Sequence, residues 1–188
     1  MEYKINLPLT NEKVKLLKSG DSVYLSGVIY TARDAAHKRL TELISNDQPL
    51  PFDLSNSIIY YVGPTPSKPG QIIGSAGPTT SYRMDSYAVT LMEHGVKGMI
   101  GKGKRCEKVM RAIIKNSALY FAAIGGAGAL LSSCIKKCDT IAFDDLGPEA
   151  IYRLEVEDFP VTVIADSYGN NLYELGRQAY LNSIVRWS

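Results

Sequence analysis

The sequence has few residues of several types, and each scarcity argues against a class of protein. It contains three cysteines, two histidines and one tryptophan in 188 residues. An odd, small number of cysteines argues against a disulfide framework and for a reducing compartment. Twenty-one basic residues stand against 19 acidic ones, which gives a formal charge of +2. This near balance provides no field that would favour nucleic acid or an anionic membrane as a partner.

Long apolar runs are also missing. The longest nearly apolar stretch, 119–131, contains three glycines and is shorter than the roughly 20 residues of a bilayer-spanning helix. Charged residues recur from Lys4 to Asp21, so the first residues have no apolar signal-peptide core. The hydrophobic content of 45% is nevertheless ample for a core. We therefore expect a cytoplasmic globular protein with no membrane attachment.

Turn residues and side-chain periodicity predict alternating strands and helices over much of the chain, with further strands toward its end. The predicted strands are 22–30, 57–63, 71–77, 96–103, 118–126, 139–147, 151–158 and 161–169, with a break at Phe159–Pro160. The predicted helices are 33–45, 81–95, 104–117, 127–137 and 171–185. No linker or repeat is evident, so the pattern predicts one α/β domain, residues 1–188, with a mixed sheet and flanking helices.

Four positions lie where a predicted strand passes into a predicted helix. They are Arg33, Thr79–Thr80, Lys102–Gly103 and the glycine segment 125–128. Ligands of α/β proteins bind at the carboxyl ends of strands, where helix N-termini offer unpaired N–H groups and partial positive charge. Arg33, Arg83 and Lys102 add three cations, and no clustered carboxylate accompanies them in the sequence. The sequence therefore predicts a pocket for a small polyanion.

These candidates also have ordinary structural explanations. A threonine before a helix is typical of an N-cap, which contributes about 1 kcal/mol to stability. Arg83, one helical turn later, could be a solvated surface residue, and Lys102 could belong to a plain turn. The two glycines beside Lys102 favour a ligand, because they let the backbone approach it closely.

Two other motifs are weaker. The segment GGAGAL, 125–130, lacks the third glycine of a dinucleotide-binding motif, because Leu131 stands in its place. Cys106, Cys134 and Cys138 show no recognisable metal-ligand spacing and are interpreted as free thiols. No metal site is therefore expected in this chain.

Taken together, several segments resemble the β subunit of class I (iron–sulfur) fumarate hydratase and of the similar L(+)-tartrate dehydratase. They are RDAAH (33–37), GPTTSYRMD (77–85), GKG (101–103), GGAGAL (125–130) and ADSYGNNLY (165–173). These segments extend over almost the whole chain, and the Gly-Pro-Thr-Thr-x-x-Arg-Met motif is the specific one. The resemblance implies the C-terminal half of a hydro-lyase, folded as a single swivelling β/β/α domain.

The resemblance also implies a reaction and a partner. In this family a dicarboxylic acid is hydrated reversibly, as in the conversion of fumarate to malate. A 4Fe–4S cluster, held by three cysteines of the α subunit, acts as a Lewis acid. The chain is thus expected to be inactive without its α subunit and to work in a hetero-oligomer. Fumarate and tartrate both stay open as substrates, and so does a non-catalytic anion-binding module of the same fold.

Specific roles for residues come with the resemblance. Arg33 and Arg83 would bind carboxylates through forked hydrogen bonds, and Lys102 would add a point charge. Thr79 and Thr80 would face the substrate, with Thr79 as the candidate base for the C3 proton. That role is demanding, because a threonine hydroxyl is a very weak acid and its alkoxide needs electrostatic support. Residues around Thr79 and Lys102 should be half-exposed in the isolated chain and covered in the complex.

Overall fold

A computed structural model describes residues 1–123 and 127–185 of the chain. The strands are β1 (Glu2–Asn6), β2 (Ser22–Thr31), β3 (Ile58–Tyr60), β4 (Gly98–Gly101), β5 (Leu119–Ala122), β6 (Ile135–Ala142) and β7 (Ile151–Ala165). The helices are α1 (Asn11–Leu16), α2 (Asp34–Ser45), α3 (Asp85–Glu93), α4 (Glu107–Lys115), α5 (Gly128–Ser133) and α6 (Leu172–Val185). Two 3₁₀ helices lie at Ser81–Met84 and Asp144–Glu149, and the second is interrupted by a kink at Gly147.

The seven strands of the described residues form one mixed sheet in the order β1-β2-β3-β4-β5-β7-β6. Strands β1 to β5 run parallel to one another, whereas β7 is antiparallel to β5 and to β6. Strand β2 also pairs antiparallel with β7 along most of its length. This extra pairing closes β2, β3, β4, β5 and β7 into a barrel. The predicted single α/β domain with a mixed sheet is confirmed; that the domain swivels stays a prediction.

Alternating side chains give the curved sheet a core on each face. Along the third strand and its extension, Ile58, Tyr60 and Val62 belong to the inner core of the barrel. Ile59 and Tyr61 belong instead to the outer core, together with the apolar faces of α2, α3 and α4. The side chain of Tyr61 is therefore anchored beneath the helices, while its backbone lies at the end of the strand.

The predicted helices are largely confirmed. The segments 33–45, 104–117 and 171–185 contain α2, α4 and α6, with boundaries shifted by a few residues. The segment 81–95 begins as a 3₁₀ turn and continues as α3, and it ends at Gly95 with a φ of 112°. A glycine with positive φ after the last turn is the helix stop that the sequence predicts. None of the described helices combines the length and the apolar composition that a membrane span requires.

The segment 71–77, predicted as a short strand, forms no strand, and that prediction is wrong. It lies in a long loop between β3 and the first 3₁₀ helix. Within this loop, Thr65 N–H donates to Ser75 O at 3.1 Å, and Ser75 N–H donates to Thr65 Oγ1 at 2.8 Å. Both edges of β3 are already paired, with β2 and with β4. The loop therefore finds no unpaired edge of β3 beside which it could form a strand.

The predicted break at Phe159–Pro160 is also wrong, because β7 runs through it as one strand of 15 residues. On one side of the strand the pairing with β2 continues past this point. On the other side, β7 pairs with β6 as far as Val156 and with β5 from Thr162 onward. A proline, which lacks a backbone N–H, is tolerated where a strand has a partner on one side only.

Further boundaries differ from the prediction. The strand predicted at 139–147 ends at Ala142, and the 3₁₀ helix Asp144–Glu149 follows it. The first two elements, β1 and α1, precede the first predicted strand; in the strand only Ile5 is buried, so its apolar periodicity is weak. The helix predicted at 127–137 ends at Ser133, and β6 begins at Ile135. The pairing of β6 with the long strand β7 begins at Ile135, and this pairing overrides the helical pattern there.

Candidate functional site

The carboxyl ends of β2, β3 and β4 lie side by side at one edge of the barrel, because these strands are parallel neighbours. Arg33 lies two residues after the end of β2 and is the N-cap residue of α2. Lys102 follows β4 and forms a parallel bridge with Thr80. Thr79 N–H donates to Tyr61 O, just beyond β3, at 2.8 Å. The structure thus brings these candidates to one edge, although no strand directly precedes the threonines.

Thr79 is held by a single backbone carbonyl. Its N–H and its Oγ1–H both donate to Tyr61 O, at 2.8 and 2.9 Å. Thr80 occupies the N-cap position of the 3₁₀ helix, but its side chain caps no described N–H group. An ordinary N-cap role therefore explains neither hydroxyl. Both threonines are half-exposed in the chain by itself, as the sequence predicts.

Ser81 forms the buried floor beneath the threonines. Its N–H donates to Lys102 O at 2.9 Å, and its Oγ accepts from Lys102 N–H at 3.1 Å. The hydroxyl of Tyr120 lies 2.9 Å from Ser81 Oγ and 2.8 Å from Gly103 O. Burial raises the pKa of Tyr120, so this hydroxyl stays protonated and able to donate. The Thr-Thr-Ser segment is thereby fixed against the Gly-Lys-Gly turn.

A buried ion pair lies under the same segment. Arg105 Nε donates to Asp85 Oδ1 at 2.6 Å, and Asp85 Oδ2 accepts from Cys106 N–H at 2.7 Å. The guanidinium also lies over the rings of Tyr61 and Tyr120, at 5.3 and 5.1 Å. Cation–π contacts of this kind stabilise a charge that has been removed from water. The pair joins the start of α3 to the start of α4, and it fixes the orientation of both helices at the edge.

His37 holds the backbone of Arg33 rather than its guanidinium. Its N–H and its Nδ1 lie 2.8 and 2.9 Å from Arg33 O, so Nδ1 carries the proton. The ring is fully buried and packs edge-to-face on Tyr61 at 5.2 Å. Burial lowers the pKa of His37 to about 4, so the ring is neutral. Among the described residues its Nε2 has no hydrogen-bond partner.

Both arginines are paired with carboxylates, which corrects the expectation of cations without carboxylates beside them. Arg83 Nε donates to Asp34 Oδ1 at 2.9 Å. Arg33 Nη2 lies 3.2 Å from Glu149 Oε1, and Glu149 Oε2 accepts from Ala35 N–H at 3.2 Å. The acidic side chains are stabilised there because the N-terminus of α2 carries partial positive charge. One carboxylate comes from that helix itself, and the other comes from the distant second 3₁₀ helix.

Lys102 is exposed, and it forms no ion pair with any described residue. It stands between Gly101 and Gly103, and the φ of Gly103 is 82°, a value that favours glycine. Three cations and two carboxylates at this edge leave one net positive charge. The edge therefore still attracts an anion, although less strongly than the sequence suggests.

Comparison with known proteins gives this edge a context. The family model described as fumarase C-terminus matches residues 1–176. The chain belongs to this fumarase C-terminal family. A protein of Methanocaldococcus jannaschii assigned as L(+)-tartrate dehydratase subunit beta is 41% identical over 98% of this chain and 99% of its own length.

Two fumarate hydratases match over a smaller share of their length. Fumarate hydratase 2 of Leishmania major is 39% identical over 90% of this chain and 31% of its own length. The anaerobic class I fumarate hydratase of Escherichia coli is 41% identical over 80% of this chain and 28% of its own length. In these relatives, the chain thus spans less than a third of the protein.

Gly128, the last glycine of the segment 125–128, serves packing in this family member. A Cβ at Gly128 would lie 2.4 Å from Ser75 Oγ and 3.0 Å from Gly77 N. Its carbonyl accepts from Ala76 N–H at 3.1 Å. The glycine therefore lets α5 approach the loop that leads to the threonines. Gly125–Gly126, the start of the motif, lie outside the described residues.

The cysteines of this fumarase C-terminal chain do not fit an iron–sulfur cluster. Cys106 is exposed before α4, whereas Cys134 and Cys138 are half-buried against the inner core. All three are free thiols. Within 1–123 and 127–185, no group of three or more His, Cys, Asp or Glu side chains could hold a metal ion. No chemical step is therefore assigned to a cluster on this chain.

Sequence reasoning missed several residues of the site. Asp34, Ser81 and Asp85 stand inside the motifs already quoted, but their roles depend on contacts with other segments. Arg105 follows the Gly-Lys-Gly turn closely and could have been suspected as a further cation. Glu149 carries no local signal, because its contact with α2 arises only when the chain folds.

We expect Gly101→Ala to destabilise the protein by about 1–3 kcal/mol, the usual cost of overpacking a core. A Cβ at this position would lie 1.9 Å from Ser81 Oγ and 3.0 Å from the ring of Tyr61. Gly176→Ala is the matched control, because nothing lies within 4 Å of a Cβ there. In helix α6 that change should be neutral or stabilising. Urea denaturation measures both, and equal stability of the two variants would contradict the packing described.

Proposed function

We propose that the chain is the β subunit of an iron–sulfur hydro-lyase that interconverts fumarate and L-malate. The observation that carries the proposal is the gathering of two arginines, a lysine and two half-exposed threonines at one edge of the barrel. Family membership supports it, because the similar proteins of Leishmania major and Escherichia coli are fumarate hydratases.

On this proposal the cations of the edge bind the two carboxylates of the substrate. Arg33 and Arg83 are the groups suited to forked hydrogen bonds, because a guanidinium offers parallel N–H donors to a carboxylate. Lys102 has no ion pair within the described part of the chain, so its charge is available to a ligand. Together they would fix the orientation of the dicarboxylate and place its C2–C3 bond over the threonines.

Thr79 is the proposed carrier of the C3 proton. Its Oγ1–H donates to Tyr61 O, which fixes the rotamer and leaves the oxygen lone pairs for another group. To accept a proton from carbon, Thr79 must first release its own proton to solvent, which reaches the half-exposed side chain, and the alkoxide then also loses this hydrogen bond. The net positive charge of the edge lowers the cost of that step, since it favours the anionic form.

The α subunit is the proposed partner, and it would carry the 4Fe–4S cluster. The match over 99% of a protein assigned as a subunit beta supports a two-subunit enzyme. When bound in the complex, the cluster would act as a Lewis acid toward the substrate. The half-exposed threonines and exposed Lys102 would then be covered by the partner. Three free thiols fit the cytoplasm as the compartment of this hetero-oligomer.

Tartrate dehydration is the second candidate function. One observation favours it: the relative matched over nearly its whole length is assigned as L(+)-tartrate dehydratase subunit beta. Tartrate is also a four-carbon dicarboxylate, with one more hydroxyl than malate. The same arginines and lysine would bind it, so the choice depends on groups that contact the hydroxyls.

Anaerobic co-expression with the α subunit, cluster reconstitution and assays with fumarate, malate and tartrate test both candidates. We expect the purified chain by itself to be folded, colourless and inactive, and the complex to be coloured and active. The Cys134→Ser/Cys138→Ser double variant controls for adventitious iron bound by thiols. Iron–sulfur absorbance that is stoichiometric with the isolated chain and survives in this variant would overturn the assignment of the cluster. A complex inactive on all three acids would favour a non-catalytic anion-binding module.

A further inference from the structure

Asp34 lies between the two arginines of the edge. Its Oδ1 accepts from Arg83 Nε at 2.9 Å. Its Oδ2 lies 3.9 Å from Arg33 Nη2. The carboxylate is only 31% exposed, and its Oδ2 has no hydrogen-bond partner among the described residues. One fixed carboxylate therefore accepts a hydrogen bond from Arg83 and lies at ion-pair distance from Arg33, whose nearer carboxylate partner is Glu149 at 3.2 Å.

The contact between Asp34 and Arg83 uses Nε and leaves the two terminal nitrogens of the guanidinium available to a ligand. Asp34 takes only the Nε–H, and the side chain of Arg83 remains 45% exposed. The two terminal nitrogens can then donate side by side to a carboxylate of the ligand. A free arginine side chain would sample many rotamers, and the Nε contact restricts them before the ligand arrives.

Asp34 itself is well fixed. It is the first residue of α2, where the helix N-terminus stabilises a negative charge. The backbone of that turn is held from below by the two hydrogen bonds of His37 to Arg33 O. Glu149, which accepts from Ala35 N–H, closes the turn from the other side. The position of Asp34 is thus determined by the helix and not by the arginines.

We propose that Asp34 is a positioning residue that sets the spacing between the guanidiniums of Arg33 and Arg83. This spacing selects ligands by the distance between their two carboxylates, so that four-carbon dicarboxylates bind better than shorter or longer ones. The inference rests on the proposed function, because it assumes that both arginines bind one dicarboxylate. It adds a determinant of chain length at a residue that does not contact the reacting carbons.

The test measures inhibition of the assembled enzyme by unbranched saturated dicarboxylates of three, four, five and six carbons. For the wild type we expect the four-carbon acid to bind about tenfold more tightly than its neighbours, the equivalent of one hydrogen bond to a charged group. Asp34→Ala should reduce this preference to within about twofold. Asp34→Asn keeps an acceptor for the Nε–H and should restore part of the preference. It also covers the case in which the alanine variant folds poorly.

A second readout does not depend on activity. The Nε–H resonance of Arg83 in the full chain should exchange slowly with water in the wild type and quickly in Asp34→Ala. Asp145→Ala is the matched control. Asp145 pairs at 2.7 Å with Arg39, which belongs to α2 as Asp34 does but lies away from the two site arginines. That control should change neither the preference nor the exchange.

The outcomes separate this inference from the proposed function. A wild-type preference that persists unchanged in Asp34→Ala overturns the role of Asp34 and leaves the proposed function intact. Tighter binding of all the acids by Asp34→Ala also overturns it, because Asp34 would then compete with the ligand. A wild-type complex that binds none of the dicarboxylates overturns the proposed function and this inference together.

Discussion

Replacing Thr79 by valine is expected to lower kcat of the assembled enzyme at least about a hundredfold, with KM within a few-fold of the wild type. Valine keeps the volume of the side chain but removes the hydroxyl that we propose to carry the C3 proton. General acid–base groups typically contribute about 10²–10⁴-fold, which sets the expected size of the loss. Initial rates with malate over a range of concentrations give both constants.

Two controls accompany this variant. Thr79→Val also removes the 2.9 Å hydrogen bond to Tyr61 O, so a stability loss of about 1 kcal/mol is expected and should be measured. Thr80→Val removes the neighbouring hydroxyl. We propose that this hydroxyl contacts the substrate but transfers no proton, so its loss should affect KM more than kcat. A Thr79→Val enzyme with kcat within a few-fold of the wild type would place the base elsewhere, on the partner subunit.

Arg83→Lys is expected to raise KM roughly 10- to 100-fold while kcat changes little. Lysine keeps the positive charge but cannot present two parallel donors to a carboxylate. It also lacks the Nε–H that Asp34 holds at 2.9 Å, so the remaining charge is less well placed. A hydrogen bond to a charged group contributes about 1.5–3 kcal/mol, and each 1.4 kcal/mol corresponds to a factor of ten.

Arg39→Lys is the matched control for this prediction. Arg39 of α2 also forms an ion pair. Its partner Asp145 belongs to the second 3₁₀ helix, and the pair is exposed. Exposed pairs contribute little, so neither KM nor stability should change noticeably. Equal KM values for Arg83→Lys and the wild type would show that Arg83 does not bind the substrate through a fork.

The strand-to-helix transitions could be predicted from the sequence because they are local features. The β-branched run of β2 and the helical spacing after Arg33 place that arginine at a strand end before any contact is known. Lys102 follows from the same reasoning, since β4 and α4 have clear patterns on either side of it. The sequence places Arg83 one turn into a predicted helix, and the structure places it in the 3₁₀ helix Ser81–Met84 that leads into α3.

The loop before the threonines could not be predicted in the same way. Its apolar residues at 71–77 suggest a strand, but a strand exists only when a neighbouring edge is free, and both edges of β3 are occupied. The threonines reach the site edge through a hydrogen bond to Tyr61 and a bridge to Lys102 instead. Both contacts join segments about twenty residues apart, a distance that periodicity does not report.

The sequence by itself determined the class of fold and placed Arg33 and Lys102 at strand ends, because strand and helix patterns repeat over short distances. Thr79 and Thr80 follow a predicted strand that does not form, so their position beside Tyr61 and Lys102 depends on contacts between distant segments. Only the tertiary structure decided that the sheet closes through β2 and β7 and that Asp34 and Glu149 stand against the arginines. Glu149 lies more than a hundred residues from Arg33 in the chain and reaches it through the hairpin of β6 and β7. Charges that meet through such long-range packing determine the electrostatics of the site, and local sequence patterns carry no record of them.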